Sequence, residues 1–332
     1  MKPGTLKKVL TVLLTLVSLF LLSSSKSLAA TRLASSTQIL GTLSWPILVA
    51  LENGYFSEAG LAVEFTELRR SSVTVQSVVA NSTPIAIPAP DAAILAAKQG
   101  AKIAIVSVVI KNDASSLVAL PKYRSVKDLK GAMIGTGGPG GSTTIAEAIL
   151  KEEGLAKTDY TMLTVGSTRE RYLGLKAGRI DAAILSPTAG FKAMDEGFLK
   201  LAGIGEYGKD VYQLVVGVNT DYAAANPNAV TGYVKAMIRA NRWLVGNANR
   251  EKAIDILVKR ESMEREIGGR ILDYLNKLGS LSQDGEISPE GMKQVMVLME
   301  MAGLISSPFP DYRKFINLKY LEMAQKELGL RN

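Results

Sequence analysis

The chain has 332 residues, with 39 Lys plus Arg against 31 Asp plus Glu, and contains neither His nor Cys. Without thiol or imidazole there is no disulfide, no Cys or His nucleophile, no zinc site of the usual type and no histidine general base. At 47% hydrophobic and 21% charged residues it has the composition of a globular protein with a large core, and its length suits about two domains.

The formal charge of +8 is unevenly placed. Residues 1–30 carry Lys2, Lys7, Lys8 and Lys26 and no acid, so the remainder has 39 minus 4, or 35, cations against 31 acids and a net +4. No later stretch forms a basic arm, and a pair such as Arg69-Arg70 is too short to track a phosphate backbone, so nucleic acid is not an expected partner. Lys7 and Lys8 precede an apolar run over 9–22, then Ser23 to Ser25, then Ser27-Leu28-Ala29-Ala30. This is the pattern of a secretory signal peptide over residues 1–30, with cleavage after Ala29 preferred to cleavage after Ala30 because Ser27 then stands at the minus-three position. The run is shorter than the ~20 residues that span a bilayer, and with no Cys to carry a lipid the mature protein is expected to be released soluble.

In the remainder, 36–43 reads as a first strand and Trp45-Pro46 opens a helix that stops near Asn53-Gly54. Alternating Leu61, Val63 and Phe65 predict a half-buried strand, and Ser71 or Ser72 starts a helix through Val75, Val78 and Val79. Strand and helix in short alternation indicate an α/β fold with mainly parallel or mixed sheets. Residues 81–100 and 177–197 are close to a repeat, each a short apolar strand and a Pro-containing loop leading into a helix that ends at glycine. A separation of nearly a hundred residues is too long for a solenoid and fits two similar lobes. Residues 101–109 end the first lobe's strands. The second lobe then holds strands near 117–120, 131–136 and 161–165, a glycine-rich turn (Gly137, Gly138, Gly140, Gly141), a helix over 142–153, and a returning strand over 214–218. From Asn226-Pro227 onward the pattern is helical, with a second proline start at Ser288-Pro289, and these helices are expected to clad the first lobe. The division is therefore 31–113 with 219–332 as a discontinuous first lobe and 114–218 as the second.

Several segments resemble the periplasmic substrate-binding proteins of ABC importers, in the branch that takes in nitrate, sulfonate, taurine and thiamin-pyrimidine binders. They are Trp45-Pro46-Ile47-Leu48-Val49-Ala50-Leu51-Glu52-Asn53-Gly54-Tyr55-Phe56, Glu58-Ala59-Gly60-Leu61, Asp128-Leu129-Lys130-Gly131, Gly141-Ser142, and Gly178-Arg179-Ile180-Asp181-Ala182-Ala183. The resemblance implies a type II two-lobe fold with two crossing segments, lobes that close on a solute, and C-terminal helices packed on the first lobe. It also implies a monomer outside the cytoplasm, partnered by a membrane permease and its ATPase subunit, with no cofactor and no metal. The alternatives are an enzyme or a sensory ligand-binding protein on the same fold. The pyrimidine synthase of this fold depends on His and Cys, which the chain lacks.

In open α/β sheets the ligand crevice lies beyond the carboxyl ends of the strands. Four loops there supply the candidate ligand-binding residues: Ser44 and Trp45, Pro90 and Asp91, Gly141 with Ser142 and Thr143, and Ser186 with Pro187. Arg70 is a further candidate, as a clamp for a carboxylate or sulfonate. The glycine-rich turn allows close backbone approach, and the helix start after it favours an anion. The run is not a P-loop, because Gly141 is followed by Ser142 rather than Lys. Each candidate also has an ordinary structural role: Ser142 and Asp91 as helix caps, Trp45 as a packing residue. Apart from Asp91 the four loops offer no carboxylate, so no catalytic residue is assigned.

Overall fold

The computed structural model describes residues 30–138, 141–206 and 211–331; the segment read as a signal peptide lies outside them except for Ala30, as does Gly140 of the glycine-rich turn. Among the described residues no helix is long and apolar enough to cross a membrane. Ten strands form two five-stranded sheets. They are β1 (Thr31–Thr37), β2 (Leu61–Glu67), β3 (Ile85–Ile87), β4 (Ile103–Lys111), β5 (Ser116–Ala119), β6 (Met133–Thr136), β7 (Thr161–Thr164), β8 (Ala182–Leu185), β9 (Leu199–Gly203) and β10 (Tyr212–Asn219).

The first sheet has the order β2-β1-β3-β10-β4 and the second β7-β6-β8-β5-β9, so the two lobes share one topology. In each, three parallel strands are followed by one antiparallel strand that the chain delivers from the other lobe: β10 lies between β3 and β4, and β5 between β8 and β9. The expected returning strand at 214–218 therefore belongs to the first sheet. A boundary at 218/219 would cut it from the partners with which it exchanges ladder bonds, and the crossing falls before Tyr212. The repeat corresponds to the third strand and following helix of each sheet, β3 with Pro90–Lys98 and β8 with Pro187–Asp195; both helices begin at proline, whose fixed φ suits the first turn.

Strands β4 and β10 are apolar along nearly their whole length because both faces of the sheet are covered. One face of the first sheet is covered by the Trp45–Glu52 and Pro227–Val245 helices, with Trp45, Ile47, Tyr233 and Leu214 in one core. The C-terminal helices pack on the first lobe and also reach the second. In the Pro289–Met301 helix, Val295 and Met299 join the first lobe's other core while Leu298 joins the core of the second. In the Arg265–Leu278 helix, Arg270 makes a bidentate pair with Asp195 (2.8 and 3.0 Å), its guanidinium lying over the Phe191 ring. The first of these helices reaches the second lobe through an apolar side chain, the other through a charged one.

The chain passes between the lobes at 112–115 and again between 204 and 211, and the described ends of the two crossings are hydrogen-bonded to each other. Asn112 N–H donates to Val211 O (2.7 Å) and Ile204 N–H to Ser115 O (2.9 Å). Gly205 is required by this approach, since a Cβ there would lie 2.6 Å from Asp113 O and 2.7 Å from Asn112 C, both backbone atoms.

Candidate functional site

A cleft of about 1280 Å³ opens at the carboxyl ends of the parallel strands of both sheets. The first lobe contributes the loops after β1 (Gln38 to Leu43) and β2 (Glu67 to Ser72), and the second those after β6, β7 and β8. Glu261, Met263 and Ile267 of the C-terminal helices close one side. Of the sequence candidates, Arg70, Gly141, Ser142, Thr143 and Ser186 line this cleft, and Ser44, Trp45, Pro90, Asp91 and Pro187 do not.

Ser44 is fully buried, its hydroxyl donating to Ile39 O (2.5 Å) and accepting from Gly41 N–H (3.1 Å), which closes the turn after β1. Trp45 is 0% exposed and belongs to the first core, so it offers no face to a solute. Its helix is apolar almost all round, and such a helix turns its largest side chain inward. Pro187 is buried as the first residue of its helix, behind the cleft-lining Ser186 and Thr188.

Asp91 acts between the lobes. One carboxylate oxygen accepts from Gly141 N–H (2.8 Å) and from the Thr144 hydroxyl (2.8 Å), and the other from Ala92 N–H (2.8 Å). A first-lobe carboxylate thus occupies the N-terminus of the second-lobe Ser142–Glu152 helix, where aligned peptide dipoles favour negative charge. Gly141 makes this possible with φ 58° and ψ −134°, a conformation in which a Cβ is strained. The adjacent Ser142 hydroxyl donates to Asp113 in the crossing segment (2.5 Å), which also accepts from Ser115 N–H (2.8 Å). Burial pushes the Asp113 carboxyl above its ordinary value, against the lowering effect of the Ser142 bond. A second inter-lobe clasp stands at the cleft edge. Glu261 accepts from Thr42 N–H (2.5 Å) and the Thr42 hydroxyl (3.0 Å) on one lobe, and from the Thr188 hydroxyl (2.6 Å) on the other.

The acidic residues of the wall are largely engaged. Glu67 pairs with Arg260, Asp195 with Arg270, Glu196 with Lys176 and the Tyr172 hydroxyl, and Glu261 with the two threonines. Among the described residues the wall's Arg69, Arg70, Arg169 and Arg171 make no ion pair. Arg171 differs from the other three in being half-buried where they are exposed. It lies in the Thr168–Lys176 helix, whose start is fixed by a capping box in which Ser167 accepts from Glu170 N–H and Glu170 accepts from Ser167 N–H. Its Nε donates to Ile184 O (2.8 Å) and its Nη1 to Gly166 O (2.6 Å), and burial pushes its pKa down to about 10. Sequence reasoning missed this residue. The signal that could have found it is Ser167-x-x-Glu170 directly after a strand, which places the arginine on the first turns of a helix at the cleft end of a sheet.

A family model described as NMT1/THI5 like matches residues 42–250. A formylaminopyrimidine-binding protein of Halalkalibacterium halodurans is 23% identical over 224 residues, which cover 65% of this chain and 66% of that protein. A putative thiamine biosynthesis protein of Haemophilus influenzae is 24% identical over 61% of this chain and 65% of its own length, so the chain spans just under two thirds of either relative. Among solved structures, the alkanesulfonate-binding protein SsuA from Xanthomonas axonopodis pv. citri bound to MOPS superposes with TM-score 0.71 at 17% identity, covering 83% of this chain and 95% of that one. These structural likenesses establish the two-lobe periplasmic-binding-protein fold. With the family model matching well over half of its length, the chain belongs to the NMT1/THI5-like family.

Proposed function

We propose that the chain is the solute-binding component of an ABC importer, closing two lobes on a small polar or anionic organic solute outside the cytoplasm and passing it to a membrane permease driven by a separate ATPase subunit. The observation that carries this reading is a large cleft at the carboxyl ends of two sheets of like topology, walled by polar groups from both lobes. Closure needs a solute that binds the closed arrangement more tightly than the open one, and groups from both lobes supply that difference. The lobes follow the sheets: residues 31–111 and 212–331 form the first, and 116–203 the second. The names of the relatives, as binders of a formylaminopyrimidine and of alkanesulfonates, support a small polar solute.

The test combines a thermal-shift screen over sulfonates, nitrate, aromatic acids and pyrimidines with small-angle scattering on each hit. The expected result is a raised melting temperature, a smaller radius of gyration and the solute recovered unchanged. Chemical conversion of the solute, or binding with no change in shape, would overturn the reading.

A further inference from the structure

Resting on the solute-binding reading, we propose that the anionic group of the solute is held by Arg171, beside the glycine-rich turn, and not by the helix N-terminus that this turn introduces. The helix N-terminus is already taken. Asp91 accepts from Gly141 N–H and the Thr144 hydroxyl, and Asp113 accepts from the Ser142 hydroxyl, so an entering anion would meet two carboxylates with the nearest donors committed to them. Like charges brought together in a poorly solvated place repel strongly.

Arg171 is a cation with no carboxylate at ion-pair distance among the described residues, Glu170 acting on it only at longer range. A guanidinium has five N–H donors in a planar fork. Two of the Arg171 donors are spent on the carbonyls of Ile184 and Gly166, which hold the group in place and carry no net charge to neutralise it. The donors that remain include both hydrogens of Nη2, which makes no hydrogen bond among the described residues, and the fork suits a carboxylate or sulfonate. The side chain has room to lie there because of Gly137, where a Cβ would stand 2.9 Å from Nη1. Burial already depresses its pKa, so an arriving anion relieves a desolvated charge. The cleft wall also includes the apolar side chains of Leu40, Leu43, Met263 and Ile267. The ligand class that fits both is a compact oxyanion head on an apolar body.

Calorimetric titration of the protein with hexanesulfonate, hexanoate and neutral hexanamide tests this. The wild type is expected to bind both anions about tenfold or more tightly than the amide, the equivalent of one charge-assisted hydrogen bond. Arg171→Gln is expected to abolish that preference, so that both anions bind no more tightly than the amide. Arg171→Lys, which keeps the charge and loses the fork, is expected to fall between the two, and it decides the matter if the glutamine variant fails to fold. Failure of the wild type to bind either anion, or retention of the full anion preference by the variants, overturns the assignment. Scattering separates this from the broader reading: lobes that close on hexanamide without any anion preference sink the Arg171 assignment alone, and lobes that close on none of the three sink both.

Discussion

Replacing Asp91 with asparagine tests the link between the lobes most directly. The carboxylate is 4% exposed and receives Gly141 N–H and the Thr144 hydroxyl, each at 2.8 Å, from across the cleft. Asparagine can keep the bond from Ala92 N–H through its carbonyl, but its NH2 then faces two donors. Two hydrogen bonds to a charged acceptor contribute about 1.5 kcal/mol each, or about 3 kcal/mol together. Loss of the favourable helix-terminus interaction adds roughly 0.5 kcal/mol, and removing a buried charge offsets about 1 kcal/mol. The expected destabilisation is therefore about 2 to 3 kcal/mol, a fall in melting temperature of roughly 5 °C for a chain of this size. Urea unfolding followed by circular dichroism measures it, and a cycle with Thr144→Val should show coupling of about 1 kcal/mol between the two side chains. An Asp91→Asn protein within about 0.5 kcal/mol of wild type, with no coupling to Thr144, would refute the latch.

Trp45→Phe should destabilise the fold by about 1 to 3 kcal/mol through lost packing while leaving solute affinity unchanged, because the side chain lies in the core; titration calorimetry beside a thermal melt checks both halves. Gly205→Ala should cost about 2 kcal/mol or more, since its Cβ would meet backbone of the other crossing segment, and a melting temperature equal to wild type would count against that contact. For Asp113 the folded carboxyl titrates above its ordinary 3.8, so the folded state holds its proton more tightly than the unfolded one. This contribution to stability is full below the unfolded value and is lost as pH rises through the folded one. Asp113→Asn should therefore compare more favourably with wild type at pH 7 than at pH 4 in urea midpoints; the reverse order would show that burial is not the dominant influence on this group.

How much of this was legible in the sequence depends on the range of the interaction concerned. The paired third strand and helix of each lobe could be read because a proline start, an apolar strand and a terminal glycine are local signals, and they recur at 81–100 and 177–197. The sheet that receives β10 could not, because its neighbours β3 and β4 lie about a hundred residues earlier and nothing in Tyr212–Asn219 itself selects one apolar partner over another. The glycine-rich turn shows the same limit within the site. Two of its glycines lie against groups from elsewhere in the chain: Gly137 against Arg171, and the Gly141 amide against the Asp91 carboxylate. A glycine records that a side chain would be in the way and carries no record of what takes the space. An anion site inferred from glycine and a helix start alone therefore needs a check on whether the protein's own carboxylates reach it first. Here Asp91 does, and the arginine assigned to the anion lies on a helix that a capping box marks in the sequence.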